Sequence, residues 1–366
     1  MPTRGGIRGV NLGNWLVLEK WMGNSPLARA ASPDDRGLIE EVDPSTLARA
    51  LEEHRSTYIR ERDFRWLGEV GVNLVRIPVP YHLFGTAHHG PCVYHLDQAF
   101  AWAEKYGIGV LVDLHTVPCS QNSFDNGGYL GLCAWAGDPG RISFALDVLE
   151  RIALRYAGHR ALWGVEVLNE PASRSVLAHN LKKTVGRYPE RAARSRAISH
   201  RALRSFYTSA YARLRPILGP EPALVFHDHF RLASWKWEFR SRDFENVVLD
   251  THCYLNFSED GFRRFDADEY LGRVAGFARD IERASQRHQV LVGEWSLANH
   301  SPLVGRMDAR GRRAFYRTLA DAQLAAWDLG LGGVYWSYRV DDPKRQAWSL
   351  RHAIEQGWLC LRSDAR

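Results

Sequence analysis

Eight short Val/Ile/Leu-rich runs, amphipathic stretches between them, and the lack of any Pro/Gly/Ser-rich linker or low-complexity tract in 366 residues together predict a single α/β domain, a closed (β/α)8 TIM barrel with long βα loops. Continuous apolar runs mark strands buried on both faces, as parallel strands are. Strands that alternate with helices predict a parallel sheet. Such a barrel spans roughly 200 to over 400 residues as one unit, so the length does not require two or three domains.

The predicted strands are, in order, Gly9 to Leu16, Val72 to Pro78, Ile108 to His115, Leu162 to Glu170, Ala223 to Phe230, Val247 to Tyr254, Gln289 to Trp295 and Leu331 to Tyr338. Between them, Leu96 to Tyr106 sets Phe100, Ala103 and Tyr106 at helical spacing ahead of Gly107, a helix-ending residue. Arg141 to Tyr156 and Arg312 to Trp327 read the same way. Two connections are longer. Met22 to Arg65 holds a loop and a helix. Ala172 to Arg215 holds a basic piece before a helix around Leu203 to Leu214. Long excursions after a barrel strand lie on its C-terminal face, so a cap or insertion around 172–215 is expected on one catalytic domain spanning 1–366.

Composition removes several classes. Mean hydropathy is −0.34, and no run of about 18 apolar residues exists, so no membrane partner is expected. The first ten residues lack an apolar signal-peptide core. Five cysteines are scattered without CxxC spacing, which argues against a disulfide framework or a zinc site. A cytoplasmic protein with reduced thiols is the expectation. The net charge is +6, from a basic set of 42 arginines and 6 lysines. These are interleaved with acids and form no block of five or six like charges, so they read as solvated faces and not as a nucleic-acid surface. The 13 tryptophans are the better lead, because an indole offers a flat face that suits sugar rings as well as cores.

The strand ends carry the chemistry. Asn14, Trp15 and nearby Glu19 close the first run and Arg76 the second. Asp113 and His115 close the third, and Asn169 and Glu170 the fourth. His252 and Tyr254 close the sixth, Glu294 and Trp295 the seventh, Trp336 and Tyr338 the eighth. A polar group closing an apolar strand is costly unless bonded, so this shared register reads as a site. Strands four and seven face each other across a barrel mouth. Glu170 and Glu294 are therefore placed on either side of a bound bond, and about 5 Å between two carboxyls is the spacing of retaining glycoside hydrolysis. Arg76 is expected to keep the nucleophile ionised, Tyr254 to donate to it, and His115 and His252 to bind hydroxyls or tune the acid. The spacing alone also suits a metal-dependent barrel hydrolase. No H-x-H pair ends the first strand, however, and the HDH triplet (227–229) lacks a third nearby ligand, so no metal and no cofactor are expected.

These residues lie within RGVNLGNWLVLEKWM (8–22), GVNLVRIPV (71–79), DLHTVPCSQNSFDNGG (113–128), GVEVLNEP (164–171), DTHCY (250–254), GEWS (293–296) and YWSY (335–338). In these stretches, which span the barrel from end to end, the sequence resembles glycoside hydrolase family 5, a retaining TIM-barrel family, and within it the exo-β-1,3-glucanase and β-glucosidase-like branch. NEP with GEW is moderately specific; RGVNLGNWLVLE with the SQNSFDN loop is highly specific. The resemblance implies Glu170 as acid/base and Glu294 as nucleophile, with Asn169 on the sugar 2-hydroxyl. Arg76, His115, His252 and Tyr254 would surround the nucleophile and the −1 sugar, Glu19 would bind a sugar hydroxyl, and Trp336 would floor the −1 subsite. The chain departs from the branch in lacking a cysteine after GEWS and in its longer 172–215 excursion.

The function so implied is a retaining O-glycosyl hydrolase acting on a β-linked oligosaccharide or β-glucoside. The alternatives are an endo-β-glucanase, an exo-enzyme for another sugar such as a β-mannoside or a disaccharide unit, and an inactive carbohydrate-binding barrel. Oligomeric state is left open. Trp163 reads as core. Either Trp235 or Trp237 is a candidate for the aglycone side, against a packing role. Asp125 and Asn126 are expected to organise their loop through side-chain to backbone bonds, and Cys119 and Cys253 to be inert thiols near the site.

Overall fold

The computed structural model describes residues 6–86, 89–240 and 243–362. Eight parallel strands close into a barrel in sequence order: β1 (Ile7–Asn11), β2 (Leu74–Val79), β3 (Gly109–Leu114), β4 (Leu162–Glu166), β5 (Ala223–His227), β6 (Val247–Cys253), β7 (Gln289–Trp295) and β8 (Gly332–Tyr335). β1 pairs with β8 through Ile7–Gly332 and Val10–Tyr335 to shut the ring. The β7 range coincides with its predicted run. β1 stops at Asn11 and β4 at Glu166, short of the predicted ends, because the chain turns through left-handed backbone at Asn14 (φ 58°) and Glu170 (φ 43°). Single backbone bonds still tie these extensions to the mouth: Leu12 N–H donates to Arg76 O (2.9 Å), and Asn169 N–H to Leu114 O (3.1 Å).

Twelve α-helices lie among the described residues. Between β1 and β2 come α1 (Pro26–Arg29), α2 (Asp35–Glu41), α3 (Pro44–Tyr58) and α4 (Glu61–Glu69). α5 (Val93–Tyr106) follows β2 and α6 (Pro139–Tyr156) follows β3. α7 (Arg174–Thr184), α8 (Pro189–Arg194) and α9 (His200–Leu218) follow β4. α10 (Ala267–Ser285), α11 (Ala309–Trp327) and α12 (Leu350–Glu355) follow β6, β7 and β8. Gly107 ends α5 in the left-handed conformation (φ 67°), as its position predicts. The room for a helix after β5 is not used as one. Only a 3-10 turn, Leu232–Trp235, is described there. Trp235, Phe239 and Phe244 pack in that space against Phe226, Tyr207 and Tyr211 with ring centroids 4.8–6.1 Å apart, an aromatic plug in place of a helix.

The interior of the barrel is layered by the two-residue period of its strands. Ile7, Leu74, Leu111, Trp163, Ala223, Val225, Val248, Leu291 and Val334 form a closed apolar floor, which places Trp163 in the core as expected. Two residues further along β2, β3, β5 and β6 come Arg76, Asp113, His227 and Asp250, and two further again, just past the end of β3 and on β6, His115 and His252. On these strands one alternation leads from the apolar floor to polar and charged groups and then to the mouth.

The 172–215 excursion includes α7, α8 and most of α9. Asn180 Nδ2 donates to Ser123 O (2.6 Å) and Arg191 pairs with Asp34 (2.9 Å), which ties α7 and α8 to the loop after β3 and to the N-cap of α2.

Candidate active site

Arg76 organises the charged layer. Its guanidinium, wholly buried, donates to Glu166 through Nε (2.7 Å) and Nη2 (3.0 Å), to Glu294 Oε1 (2.9 Å) and Asn11 Oδ1 (3.0 Å) through Nη1, and to Asn169 Oδ1 (2.9 Å) through Nη2; Asp113 lies 3.1 Å away. Every donor direction of the fork is used, as a buried guanidinium requires. Gly293 of β7 leaves room beside this layer for Asp250. A Cβ there would lie 2.0 Å from Asp250 Oδ2, whereas the glycine lets its own N–H donate to Asp250 Oδ1 (2.6 Å). The register slips between Val292 and Trp295, which turns Glu294 into the mouth beside His252.

Three residues meet above this layer. His252 Nδ1 is 2.8 Å from Glu170 Oε1 and 3.4 Å from Glu294 Oε2, and its Nε2 is 3.3 Å from Asp250 Oδ2. One nitrogen at 2.8 and 3.4 Å from the two oxygens holds those oxygens no more than about 6.2 Å apart. Tyr254 OH donates to Glu294 Oε2 (2.6 Å), so both Glu294 oxygens are held. Glu170 Oε2 accepts from Asn126 Nδ2 (2.9 Å).

Electrostatics in this trio run differently from the sequence expectation. Burial pushes Glu294 upward, and that outweighs the lowering by His252 and Arg76. Arg76, expected to keep Glu294 ionised, does act to lower it but divides its charge with Asp113 and Glu166 as well. Burial also acts to raise Glu170, but the hydrogen bond and charge of His252 hold it below the ordinary glutamate value. His252 is disfavoured as a cation by burial, yet Glu294, Asp250 and Glu170 together raise it well above the ordinary histidine value. His252 thus has its charged form favoured by the acids around it and sits one hydrogen bond from Glu170.

These groups face a cavity of about 2170 Å³, lined by Glu19, Glu170, His252, Tyr254, Glu294 and Trp336 among others. Arg76, His115 and Asn169 are wholly buried beneath it and support the residues above. His115 Nδ1 pairs with Asp113 Oδ2 (2.6 Å) and its ring stacks under Trp336 (centroids 5.6 Å). Burial, then the charge of Asp125, push Glu19 well up, while Trp21 Nε1 donates to it (2.6 Å). Trp21, Tyr254, Phe257 and Trp348 form an aromatic rim with centroids 5.1–6.1 Å apart.

Other strand-end residues face away from the mouth. Tyr338 donates to Asp63 (2.7 Å), Trp15 to Arg55 O (2.8 Å), and Trp295 packs on Trp327 and Tyr335. Trp235 is buried in the plug. Trp237 is exposed, sits against Lys236, Arg240 and Arg287, and is not on the cavity wall. Asn126, read as part of its loop, accepts there from Asn122 Nδ2 (3.0 Å) and also holds Glu170 directly; Ser120 and Asn122 supply side-chain to backbone bonds in the loop. Asp250 was not singled out, and His227 only as part of the HDH triplet. Asp250 had a readable signal in standing two residues before His252 on a strand. Burial pushes the Cys253 thiol well up, which agrees with an inert role. His229 joins no converging set of metal-type ligands among the described residues. His227 accepts at Nδ1 from the His229 N–H (3.1 Å), which leaves the proton of a neutral ring on Nε2.

Asp228 gives a pH prediction. Burial pushes its carboxyl up to about 7, against hydrogen bonds from Thr251 Oγ1 (2.8 Å) and Phe230 N–H (2.7 Å). A folded value above the unfolded one means the native state holds the proton, so its stabilisation is complete below the unfolded value and is lost as pH rises through about 7. An asparagine keeps the Phe230 contact and donates to the Thr251 hydroxyl. Asp228→Asn should match wild type in thermal melts near pH 4 and exceed it at pH 8, by on the order of 4 kcal/mol. Parallel melting curves at both pH values would contradict this.

Residues 55–338 match the family model described as Cellulase (glycosyl hydrolase family 5). Glucan 1,3-beta-glucosidase 1 of Schizosaccharomyces pombe is 28% identical over 381 residues, covering 96% of this chain and 87% of that protein. A probable glucan 1,3-beta-glucosidase A of Aspergillus fumigatus is 33% identical over 299 residues, covering 79% and 65%. The crystal structure of rutinosidase from Aspergillus niger superposes with a TM-score of 0.77 at 20% identity, covering 96% of each chain, a likeness of fold. With the family model matched from the end of α3 to past β8, and the two glutamates at the mouth of the same closed barrel, the chain belongs to glycosyl hydrolase family 5.

Proposed function

We propose that this glycoside hydrolase is a retaining, exo-acting β-glucosidase, releasing glucose from β-1,3-linked oligosaccharides or small β-glucosides, with Glu170 as acid/base and Glu294 as nucleophile. The observation that carries the mechanism is the convergence of both carboxylates on His252 Nδ1, at 2.8 and 3.4 Å. Retaining enzymes hold their carboxyls about 5–5.5 Å apart, whereas inverting ones need about 6.5–9.5 Å to admit a water. A nearest-oxygen separation of at most about 6.2 Å supports the former.

In the first step a Glu294 oxygen bonds to the anomeric carbon as the bond to the leaving oxygen breaks, and Glu170 delivers a proton to that oxygen. His252, 2.8 Å from Glu170 Oε1, is positioned to relay protons to and from that carboxyl. Forming the ester removes the negative charge of Glu294, the largest of the charges that raise His252. Glu170 loses the same neighbouring charge and is left as the base that takes a proton from the incoming water. Arg76 and Tyr254 fix the two oxygens of Glu294, so the attacking carboxylate is oriented before the sugar arrives. Trp336 offers its face as a floor, and Glu19 an acceptor for a sugar hydroxyl.

The sugar and linkage rest on the relatives named glucan 1,3-beta-glucosidase, which align over most of the chain. The excursion around 172–215 is assigned a capping role within one catalytic domain, since Ser175, Val176, His179 and Lys183 of α7 line the cavity wall. Five unpaired cysteines fit work in a reducing, cytoplasmic compartment. A panel of an aryl β-glucoside, β-1,3- and β-1,4-linked glucose disaccharides, an aryl β-rutinoside and soluble β-1,3-glucan tests the assignment, with products followed in time. Glucose is expected as the sole early product, with the β-1,3 disaccharide cleaved fastest. Oligosaccharides as first products, or turnover of the rutinoside alone, would overturn the exo-glucosidase reading.

A further inference from the structure

Away from the cavity, α2 and the loop after β2 bring together Asp35, His82 and His89. One potential ligand atom from each lies within 4.8 Å of the others. His82 Nε2 is 3.5 Å and His89 Nε2 3.6 Å from the same Asp35 oxygen, Oδ2. The two imidazoles stack face to face, with centroids 3.7 Å apart and planes at 16°. Side chains of His82 and His89 are 4% and 8% exposed, that of Asp35 24%, so the cluster is enclosed but reachable from solvent on its carboxylate side.

We propose that Asp35, His82 and His89 are a binding site for a divalent transition-metal ion of the zinc type, which clips the N-terminal excursion to the β2–α5 loop.

Distances of 3.5 and 3.6 Å are long for a hydrogen bond and close to the edge between two ligands of one tetrahedral ion, whose coordination is completed when one imidazole swings out of the stack to aim its lone pair at the ion. With metal–nitrogen and metal–oxygen bonds of about 2.0–2.2 Å, that edge is roughly 3.3–3.4 Å. The donor chemistry agrees, since two imidazoles and one carboxylate suit zinc and its neighbours and leave a fourth position for water. His89 Nε2 is buried without a hydrogen-bond partner and faces Asp35. Its Nδ1 lies 3.1 Å from Thr86 Oγ1, and a proton on Nδ1 leaves the Nε2 lone pair free. No short motif announces these ligands, because positions 35, 82 and 89 meet only through the fold.

The protein, dialysed against chelator and titrated with Zn²⁺ in a calorimeter, should bind one ion per chain and melt at higher temperature when loaded. His89→Gln, at the more open edge, should weaken binding at least ~100-fold and abolish the thermal shift while leaving the circular dichroism spectrum unchanged. Asp35→Asn should do the same. Glu170→Gln should bind as wild type, which separates this site from the glutamates and histidines of the cavity. Co²⁺ in place of Zn²⁺ should give the intense visible bands of a tetrahedral site in wild type and lose them in His89→Gln. Absence of stoichiometric binding in wild type, or binding that survives the His89→Gln/Asp35→Asn double variant, would overturn the proposal.

Discussion

Glu294→Ala should lower turnover of an aryl β-glucoside by at least ~10⁴-fold, a loss of the size expected when a covalent nucleophile is removed, and azide should restore a large part of it. The argument is spatial as well as chemical. Glu294 approaches from β7 with both oxygens held, one by Arg76 (2.9 Å) and one by Tyr254 (2.6 Å), so truncation opens a volume on the attacking side flanked by two donors. A small linear anion fits that volume and attacks the face opposite the leaving group, so the product should be the α-glycosyl azide. The fold should survive, because Arg76 keeps Asp113 and Glu166 as partners. Recovery of a β-azide, or no rescue in a folded variant, would remove Glu294 from the nucleophile's role.

The second large effect is on stability. Arg76→Met is close to isosteric but leaves Asp113, Glu166 and Glu294, all nearly or wholly buried, without their shared cation. Breaking a buried ion pair from one side costs about 3–5 kcal/mol, and here one cation serves three acids. Burial already raises Glu166 well above the ordinary glutamate value even with Arg76 in contact. The variant should therefore lose at least ~3 kcal/mol in urea unfolding at pH 7, and less as pH falls and the orphaned carboxyls take up protons. Adding Glu166→Gln should return part of the loss, because the two residues are coupled. Wild-type stability in Arg76→Met would show that the charged layer contributes nothing net.

Much of this was legible because a barrel strand obeys a period of two. Arg76, Asp113, His115 and His252 were read as strand-end chemistry, and the same period places Leu74, Leu111 and Val248 in the floor beneath them and Asp250 between Val248 and His252. The same rule, applied without the core packing around α4 and α11, overreached at Tyr338, Trp15 and Trp295. An aromatic residue at a strand end can turn outward under a helix, and nothing in spacing distinguishes the two directions. The plug of Trp235, Phe239 and Phe244 was unreadable as the stand-in for a helix, since its packing against Phe226, Tyr207 and Tyr211 is tertiary. Asn126 lay in a motif read as loop chemistry, and its contact to Glu170 spans 44 positions. Charge was the least legible link. Arg76 was expected to keep the nucleophile ionised, whereas it is divided among three acids, and within the trio both Glu294 and His252 are raised.

The central claim is that Glu170 and Glu294 act together in a double displacement, and the anomeric configuration of the first-formed product tests it most directly. Proton NMR of wild-type enzyme acting on an aryl β-glucoside, recorded faster than mutarotation, should show β-glucose first and the α anomer only later. Initial release of α-glucose would mean a single displacement by water and would contradict the account.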